Sequence, residues 1–157
     1  KRNLDRLGMT ADLVRADGRT FRPRKAVDAV LIDAPCSATG TLRRRPDVLH
    51  HRAVADLAGL AAIQRELLAR AASWLSPGGR LIYATCSLQN EEGEAVVADV
   101  TSAMKGKLAI DPVSTAEAGS FAPALTGDGC LRILPSDFTD IGGVDGFFIA
   151  RLQSGSP

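Results

Sequence analysis

Residues 26–34 read AVDAVLIDA, and residues 79–86 read GRLIYATC. Each is a short apolar run with β-branched members, which is the pattern of a strand buried inside a sheet. Between them, residues 52–74 place apolar side chains at helical spacing, and a Pro-Gly-Gly sequence at 77–79 ends that segment. A strand, a helix and a second strand in this order predict two parallel strands joined by a right-handed crossover.

More elements are predicted on the C-terminal side of this crossover. A second helix is expected to begin near Asn90, which suits a helix cap, and the Glu-Glu pair that follows it suits the positive end of a helix. Residues 130–134 and 146–152 are predicted strands that form an antiparallel hairpin at the sheet edge. The segment 111–129, rich in Pro and Gly, is predicted as a long surface loop. The fold class is therefore α/β, with a mostly parallel sheet and a C-terminal antiparallel hairpin.

The N-terminal side looks incomplete. Residues 1–9 have the pattern of the end of a helix stopped at Gly8, and residues 12–16 that of a short strand. An α/β domain seldom opens on the tail of a helix. We therefore expect residues 1–157 to be the C-terminal portion of a single catalytic domain that lacks its first strands.

Composition narrows the class of protein. A chain of 157 residues with 45% apolar and 24% charged residues has the size and balance of one globular domain. It contains no apolar run long enough to cross a bilayer and no signal-peptide pattern at its start. Three cysteines are too few for a disulfide scaffold and odd in number, which favours a reducing compartment. We expect a cytoplasmic protein with no membrane partner.

Charge is distributed unevenly along the chain. The net charge is only +1, yet residues 1–52 carry 12 Lys and Arg against 6 Asp and Glu. A locally basic surface attracts a polyanion through phosphate contacts and counterion release. Solvated surface arginines explain the same composition more simply, so charge alone favours that interpretation over the binding of a polyanion.

The predicted strands end in similar turns, Asp-Ala-Pro-Cys-Ser at 33–37 and Ala-Thr-Cys-Ser at 84–87. Ligands of a doubly wound sheet bind beyond the carboxyl ends of its strands, so Cys36, Cys86 and Asp33 are expected at one crevice. A thiolate is a nucleophile, and a carboxyl group beside it can direct a proton. Each residue also has a structural alternative, since a lone cysteine is often an inert core residue and Asp33 can cap its turn.

With these two cysteine turns, the chain resembles the Sun (Fmu) family of RNA cytosine-C5 methyltransferases that act on ribosomal RNA. The segment 33–41, followed by Arg43-Arg44 and Pro46-Asp47, is similar to that family's DAPCSGTGTxRRxPD signature. Residues 77–87 are similar to its second cysteine motif, and the sequence Asp-Gly-Phe-Phe at 145–148 to its closing strand. The resemblance runs through nearly the whole chain and implies a Rossmann-like class I methyltransferase fold.

The resemblance also implies a division of roles. The cysteine matching Cys86 adds to C6 of the target cytosine, which makes C5 nucleophilic enough to accept a methyl group. The cysteine matching Cys36 then assists loss of the C5 proton and release of the product, and Asp33 contacts ring nitrogen N3. The implied reaction is methylation of small-subunit 16S ribosomal RNA through a covalent cysteine adduct.

The methyl donor implied by the resemblance is S-adenosylmethionine, with donor contacts assigned to Asp17, Asp33 and Pro35. Taken alone, Asp17 is equally well explained as a turn residue. The family's glycine-rich donor loop has no counterpart within residues 1–157, so we expect this chain to bind the donor weakly or not at all. Ala38 stands where the family usually has glycine, and a positive φ there would strain the turn.

The RNA contacts visible in this chain reduce to a basic cluster that includes Arg43, Arg44, Arg45 and Arg52. Phosphate contact and a solvated loop are the two interpretations of that cluster, and the resemblance favours contact. The adjacent histidines at 50 and 51 lack zinc-site spacing with the cysteines, so no metal is expected. Trp74 and Tyr83 are expected to pack in the core rather than stack on bases.

Two other classes of function compete with the methyltransferase. A non-catalytic RNA-binding or assembly module that keeps the fold would explain the absent glycine loop and Ala38. It would not explain why Asp33, Cys36 and Cys86 occur together, since phosphate binding requires none of them. A different nucleotide-binding enzyme of doubly wound fold would need a phosphate loop, which the sequence does not contain.

Overall fold

The computed structural model describes residues 2–48 and 56–155. The main helices are α1 (Arg2–Leu7), α2 (Leu57–Ala72), α3 (Glu94–Ala103) and α4 (Thr115–Ala118). The strands are β1 (Val27–Asp33), β2 (Leu75–Thr85), β3 (Leu108–Ile110), β4 (Leu131–Ile133) and β5 (Phe147–Ser154).

All five strands belong to one sheet in the order β1-β2-β5-β3, and β4 also pairs with β5. β1 and β2 are parallel, whereas β5 runs antiparallel to β2, β3 and β4. Four strands therefore run in one direction and β5 runs against them. The predicted α/β class, the crossover through α2 and the antiparallel β4–β5 pair are all confirmed.

The core lies between the sheet and the helices α2 and α3. Its fully buried members include Leu68 of α2, Leu81 and Tyr83 of β2, and Phe148 of β5. The Tyr83 and Phe148 rings meet edge to face at a centroid distance of 6.4 Å. Trp74 forms a similar edge contact with Phe21, so the prediction that Trp74 and Tyr83 serve packing is confirmed.

The predicted strand at residues 12–16 is wrong. These residues form no regular secondary structure and are exposed, and side chains such as Leu13 and Val14 remain in solvent, 63% and 67% exposed. A strand requires a neighbour to satisfy its backbone groups, and no strand of the described chain pairs with this segment. The pattern of residues was that of a strand, but pairing is a tertiary property.

Two further predictions need correction. The segment 111–129 is not a structureless loop, because it holds α4 and a 3-10 turn over Gly119–Ala124. The helix expected near Asn90 begins as a 3-10 turn over Asn90–Glu92, and α3 itself starts only after Gly93. Gly93, with φ −116° and ψ −99°, lies outside the helical conformation, and a side chain at this position would collide with Phe148 and Arg132. The predicted first residues of α2, 52–55, lie outside the described residues.

None of the helices in residues 2–48 and 56–155 combines the length and the apolar character needed to cross a membrane.

Candidate active site

Two neighbouring strands bring the predicted site residues to one rim of the sheet. Asp33 is the last residue of β1 and pairs in register with Ala84 of β2. The pairing continues one step further, since the Ala34 N–H donates to the Ala84 carbonyl at 2.9 Å. Because the strands are parallel, the turns that carry Cys36 and Cys86 leave the sheet at the same end.

The two thiols meet at this rim. Sγ of Cys36 and Sγ of Cys86 lie 3.5 Å apart, which is a hydrogen-bonding contact and far longer than a disulfide bond of about 2.05 Å. Cys36 is buried, with 4% of its surface exposed, whereas Cys86 is partly exposed. A ligand that enters from solvent therefore reaches Cys86 more readily than Cys36.

The contact between the thiols changes their acid–base chemistry. The hydrogen bond with Cys86, and after it burial, raise the pKa of Cys36 far above that of an ordinary thiol. Cys36 therefore keeps its proton at neutral pH. A protonated Cys36 can donate a hydrogen bond to a thiolate at Cys86, and the thiolate is the nucleophilic form of cysteine.

A buried polar cluster, which the sequence analysis did not predict, adjoins both cysteines. Ser37 and Ser87 each follow a cysteine, and both donate a hydroxyl hydrogen bond of 2.5 Å to the Glu92 carboxylate. Gln64 of α2 donates to the same carboxylate at 3.1 Å. We call Ser37, Gln64, Ser87 and Glu92 the Glu92 cluster. The signal for it in the sequence was the repeated Cys-Ser pair.

The turn that follows Cys36 is held tightly. Ala38 has φ +59° and ψ +23°, the left-handed conformation that favours glycine, so the strain expected at this position is present. Two residues later, the Gly40 N–H donates to the Cys86 carbonyl at 3.0 Å, and Gly40 accepts from the Gly146 N–H at 2.8 Å. A Cβ at position 40 would collide with the Gly146 backbone. The three segments therefore close together only with glycine at position 40.

Of the residues expected to hold the methyl donor, Asp33 lines a cavity beside β1, whereas Asp17 and Pro35 are not among the residues that line it. Gly18 and Asp33 line a common cavity of about 250 Å³ whose walls include apolar side chains of β1. Asp17 lies next to Gly18 in a turn, where its carboxylate pairs with Arg19 at 2.7 Å, and this partner lowers the pKa of Asp17 to about 2. The Pro35 carbonyl accepts from Gln64 at 2.8 Å.

This cavity fits part of the donor. Its apolar walls suit a flat ring, and the Asp33 carboxylate at its rim can accept hydrogen bonds from amino groups. A volume of about 250 Å³ falls below the roughly 300–1,000 Å³ of most small-molecule sites. The described residues therefore suit one portion of S-adenosylmethionine rather than all of it.

The predicted RNA-contacting arginines lie on the loop after this turn. Arg44 forms a bidentate ion pair with Asp145, and Nη2 of Arg43 lies 3.9 Å from the same carboxylate. Arg45 pairs with Asp47 at 3.2 Å. All three arginines remain exposed, so their outer N–H groups can still reach a phosphate. Arg52 lies outside the described residues.

Within the described residues, no group of three or more His, Cys, Asp or Glu side chains is arranged to hold a metal ion.

Comparison with known proteins identifies the family of this chain. The family of 16S rRNA methyltransferases RsmB/F matches residues 1–153. Ribosomal RNA small subunit methyltransferase F of Klebsiella pneumoniae is 38% identical over 154 residues, covering 96% of this chain and 31% of the relative. Methyltransferase B of Sodalis glossinidius is 40% identical over 153 residues, covering 96% and 32%. The chain thus spans about a third of the length of these curated relatives.

A solved structure supports the same assignment. NSun6 from Pyrococcus horikoshii, solved with SFG, superposes with a TM-score of 0.75 at 27% identity and covers 99% of this chain and 38% of its own. That protein carries the Rossmann-like methyltransferase fold expected from the sequence. Because the family model matches residues 1–153 and the fold agrees, the chain belongs to the RsmB/F family of 16S rRNA methyltransferases.

Proposed function

We propose that this chain carries the catalytic cysteines of an enzyme that methylates C5 of a cytosine in 16S ribosomal RNA through a covalent cysteine adduct. The observation that carries the proposal is the 3.5 Å separation of the Cys36 and Cys86 sulfurs at the shared end of β1 and β2. Family membership supports the coarser statement, methylation of ribosomal RNA. The pair of thiols supports the finer one, because covalent catalysis on a pyrimidine gives each of them a role, one as nucleophile and one as base.

Cys86 is the nucleophile in this proposal. Its thiolate adds to C6 of the cytosine, which forms an S–C6 bond and moves the C5=C6 electron pair to C5. S-adenosylmethionine would supply the methyl group as an electrophile: its S–CH3 bond would break as the C5–CH3 bond forms, and S-adenosylhomocysteine would leave. The partial exposure of Cys86 supports its assignment to the first step, since a cytosine can reach this side chain from solvent.

Cys36 acts after the methyl group has been transferred. A base must remove the proton from C5, and the released electron pair then restores the C5=C6 double bond and expels the Cys86 thiolate. Before the cytosine binds, Cys36 is protonated because its hydrogen bond with Cys86 raises its pKa. Once Cys86 is bonded to C6, its sulfur is a thioether and a weaker hydrogen-bond acceptor, so this largest of the causes that raise the pKa of Cys36 weakens at the stage where a base is needed.

Asp33 and the arginines position the substrate. Asp33 is exposed at the end of β1, where its carboxyl group can hydrogen-bond N3 or the exocyclic amino group of the ring. With Asp17 and Pro35 it is also proposed to contact S-adenosylmethionine. Arg43, Arg44 and Arg45 are proposed to bind phosphates beside the target. A cytosine inside a stem cannot reach a thiol, so the target must be unpaired or flipped out.

The decisive experiment replaces each cysteine in the full-length protein and measures transfer of a radioactive methyl group to 16S ribosomal RNA. We expect Cys86→Ala to abolish transfer, because the thiol that remains at the rim, Cys36, is buried and acts only after the methyl group has been transferred in this proposal. Cys36→Ala should form the adduct but fail to release it, so a covalent RNA–protein band should accumulate on a denaturing gel. A Cys86→Ala protein with wild-type activity would overturn the mechanism.

Cys130 provides a matched control for these variants. It is a buried core cysteine on the loop before β4, and burial raises its pKa to about 12. Cys130→Ala should therefore keep methyl transfer and form no trapped adduct. If wild-type protein binds the RNA but transfers no methyl group, the alternative of a non-catalytic RNA-binding module is favoured instead.

A further inference from the structure

The Glu92 side chain is a buried acidic group that the proposed reaction does not use. It is 0% exposed, although carboxyl groups are almost never fully buried unless hydrogen-bonded or paired. All of its contacts are hydrogen bonds donated to it by neutral groups. A carboxylate held in this way by donors from three separate segments has a structural or functional reason to be there.

The donors come from the two cysteine turns. Oε2 of Glu92 accepts from the Ser37 and Ser87 hydroxyls at 2.5 Å each, and these two hydroxyl oxygens lie 3.1 Å apart. Oε1 accepts from the Ser37 N–H at 2.9 Å and from Gln64 at 3.1 Å. One carboxylate therefore joins the residue after Cys36 to the residue after Cys86.

This link is needed because the cysteines lie beyond the ends of the strands. The register between β1 and β2 ends at the pair Asp33 and Ala84, and the last ladder hydrogen bond joins the Ala34 N–H to the Ala84 carbonyl. Past that point the two turns are no longer fixed by the sheet ladder, and the spacing of the thiols depends on contacts between the turns. The Glu92 cluster supplies such contacts one residue away from each sulfur.

We propose that Glu92 is a positioning residue that sets the spacing and orientation of Cys36 and Cys86. The inference rests on the proposed function for its catalytic consequence, since the two sulfurs must reach adjacent atoms of one cytosine ring. A displacement of about 1 Å at a reacting group can cost on the order of 100-fold in rate. Glu92 touches neither substrate nor donor in this scheme and acts through the two serines.

Glu92→Gln is the sharpest test because it preserves size and removes one acceptor oxygen. The carboxylate receives hydrogen bonds at both oxygens, so a glutamine must turn its NH2 group toward at least one existing donor. In the full-length protein we expect kcat for methyl transfer to fall by about 10- to 100-fold. KM for the RNA should stay within about twofold, because the arginines that contact phosphate are unchanged.

A second readout reports the spacing of the thiols without any methyl transfer. Oxidised glutathione converts Cys36 and Cys86 to a disulfide and is itself reduced to two glutathione thiols, and the equilibrium measures how well the sulfurs are placed. Glu92→Gln should shift this equilibrium toward the two thiols by about 10-fold or more, which mass spectrometry of the alkylated protein detects. A wild-type equilibrium together with a wild-type kcat would overturn the proposal.

Two further variants separate positioning from stability. Val100→Ala removes buried packing on α3 away from the serines, so it should lower Tm yet keep both readouts near wild type. If Glu92→Gln fails to fold, Ser87→Ala takes its place, because it removes one of the two links to the Glu92 carboxylate. Ser87→Ala should move both readouts in the same direction as Glu92→Gln. Equal losses of kcat in Val100→Ala, or unchanged readouts in Ser87→Ala, would contradict the inference. A wild-type protein that transfers no methyl group would instead contradict the proposed function. In that case the equilibrium between the two thiols and the disulfide would still test the positioning role of Glu92.

Discussion

Ala38 shows how one residue can oppose its own backbone. Its left-handed conformation costs an alanine about 1–2 kcal/mol relative to a right-handed one, because Cβ approaches the following carbonyl oxygen. The surrounding contacts impose this conformation: the Ala38 carbonyl accepts a hydrogen bond from the Thr41 hydroxyl at 2.8 Å, and the Gly40 N–H donates one to the Cys86 carbonyl. The strain is thus localised in the turn that places Cys36.

Replacing Ala38 with glycine should therefore stabilise the protein. Glycine removes the cost of the left-handed conformation. Its greater freedom in the unfolded chain lowers the stability by about 0.4–1 kcal/mol, so we expect the free energy of unfolding to rise by up to about 1 kcal/mol in total. Urea denaturation gives the difference in the free energy of unfolding. Ala16→Gly is the control, because φ at position 16 is not positive and the same replacement should destabilise there. A loss of stability in Ala38→Gly would show that the turn is not strained.

At the scale of elements, α4 illustrates how a segment with loop composition becomes helical. Ser114 and Glu117 form a capping box, in which Ser114 accepts from the Glu117 N–H and Glu117 accepts from the Ser114 N–H. Arg151 of β5 then donates to Glu117 at 2.7 Å. A short helix is marginal by itself, so the contact with β5 contributes to holding α4 in place.

The charge of Glu117 should make this element sensitive to acid. Hydrogen bonds from Arg151 and then from Ser114 lower the pKa of Glu117 from 4.5 to about 2. Because the folded pKa lies below the unfolded one, the carboxylate stabilises the fold above about pH 4.5, and this contribution is lost as the pH falls toward 2. Glu117→Gln should lower Tm at pH 7 and match wild type near pH 2.

Calorimetric scans of both proteins across this range test the expectation. Ser114→Ala should show the same convergence in weaker form, since it removes only part of the interaction. A difference in Tm that stays constant from pH 7 to pH 2 would mean that the charge of Glu117 does not hold α4.

At the scale of the whole molecule, the cysteine rim is well formed and the donor side is open. The thiols, the Glu92 cluster and the arginine loop are all held by contacts among the described residues. The cavity beside Asp33 is small, and Leu31 of β1 next to it is 71% exposed. β1 has a partner strand on one edge only within the described chain.

The 157-residue chain by itself should consequently bind S-adenosylmethionine weakly. With contacts for only part of the donor and no glycine-rich loop in these residues, we expect a Kd of about 1 mM or weaker, which corresponds to roughly −4 kcal/mol. Isothermal titration calorimetry of the chain, with the full-length protein as the positive control, measures this directly. Tight binding at one site per chain would contradict it.

Much of this protein follows from its sequence because the relevant interactions are local or periodic. The apolar runs at 26–34 and 79–86 and the helical spacing between them predict the crossover, and the strand-end rule then places Cys36 and Cys86 at one rim. The matching Cys-Ser turns and the long signature at 33–41 indicate the family. Helix α1 also stops at Gly8 as expected, because glycine readily adopts the positive φ that is found at this position.

Other features were decided only by tertiary structure. Residues 12–16 have the composition of a strand, but none of the described strands pairs with them, whereas β3 pairs with β5. Glu92 carries no sign in the sequence that it is buried, because its environment is assembled from Ser37, Gln64 and Ser87. Hydrogen-bond partners distant in the chain cannot be inferred from local propensity, since the fold alone brings them within hydrogen-bonding distance of one another.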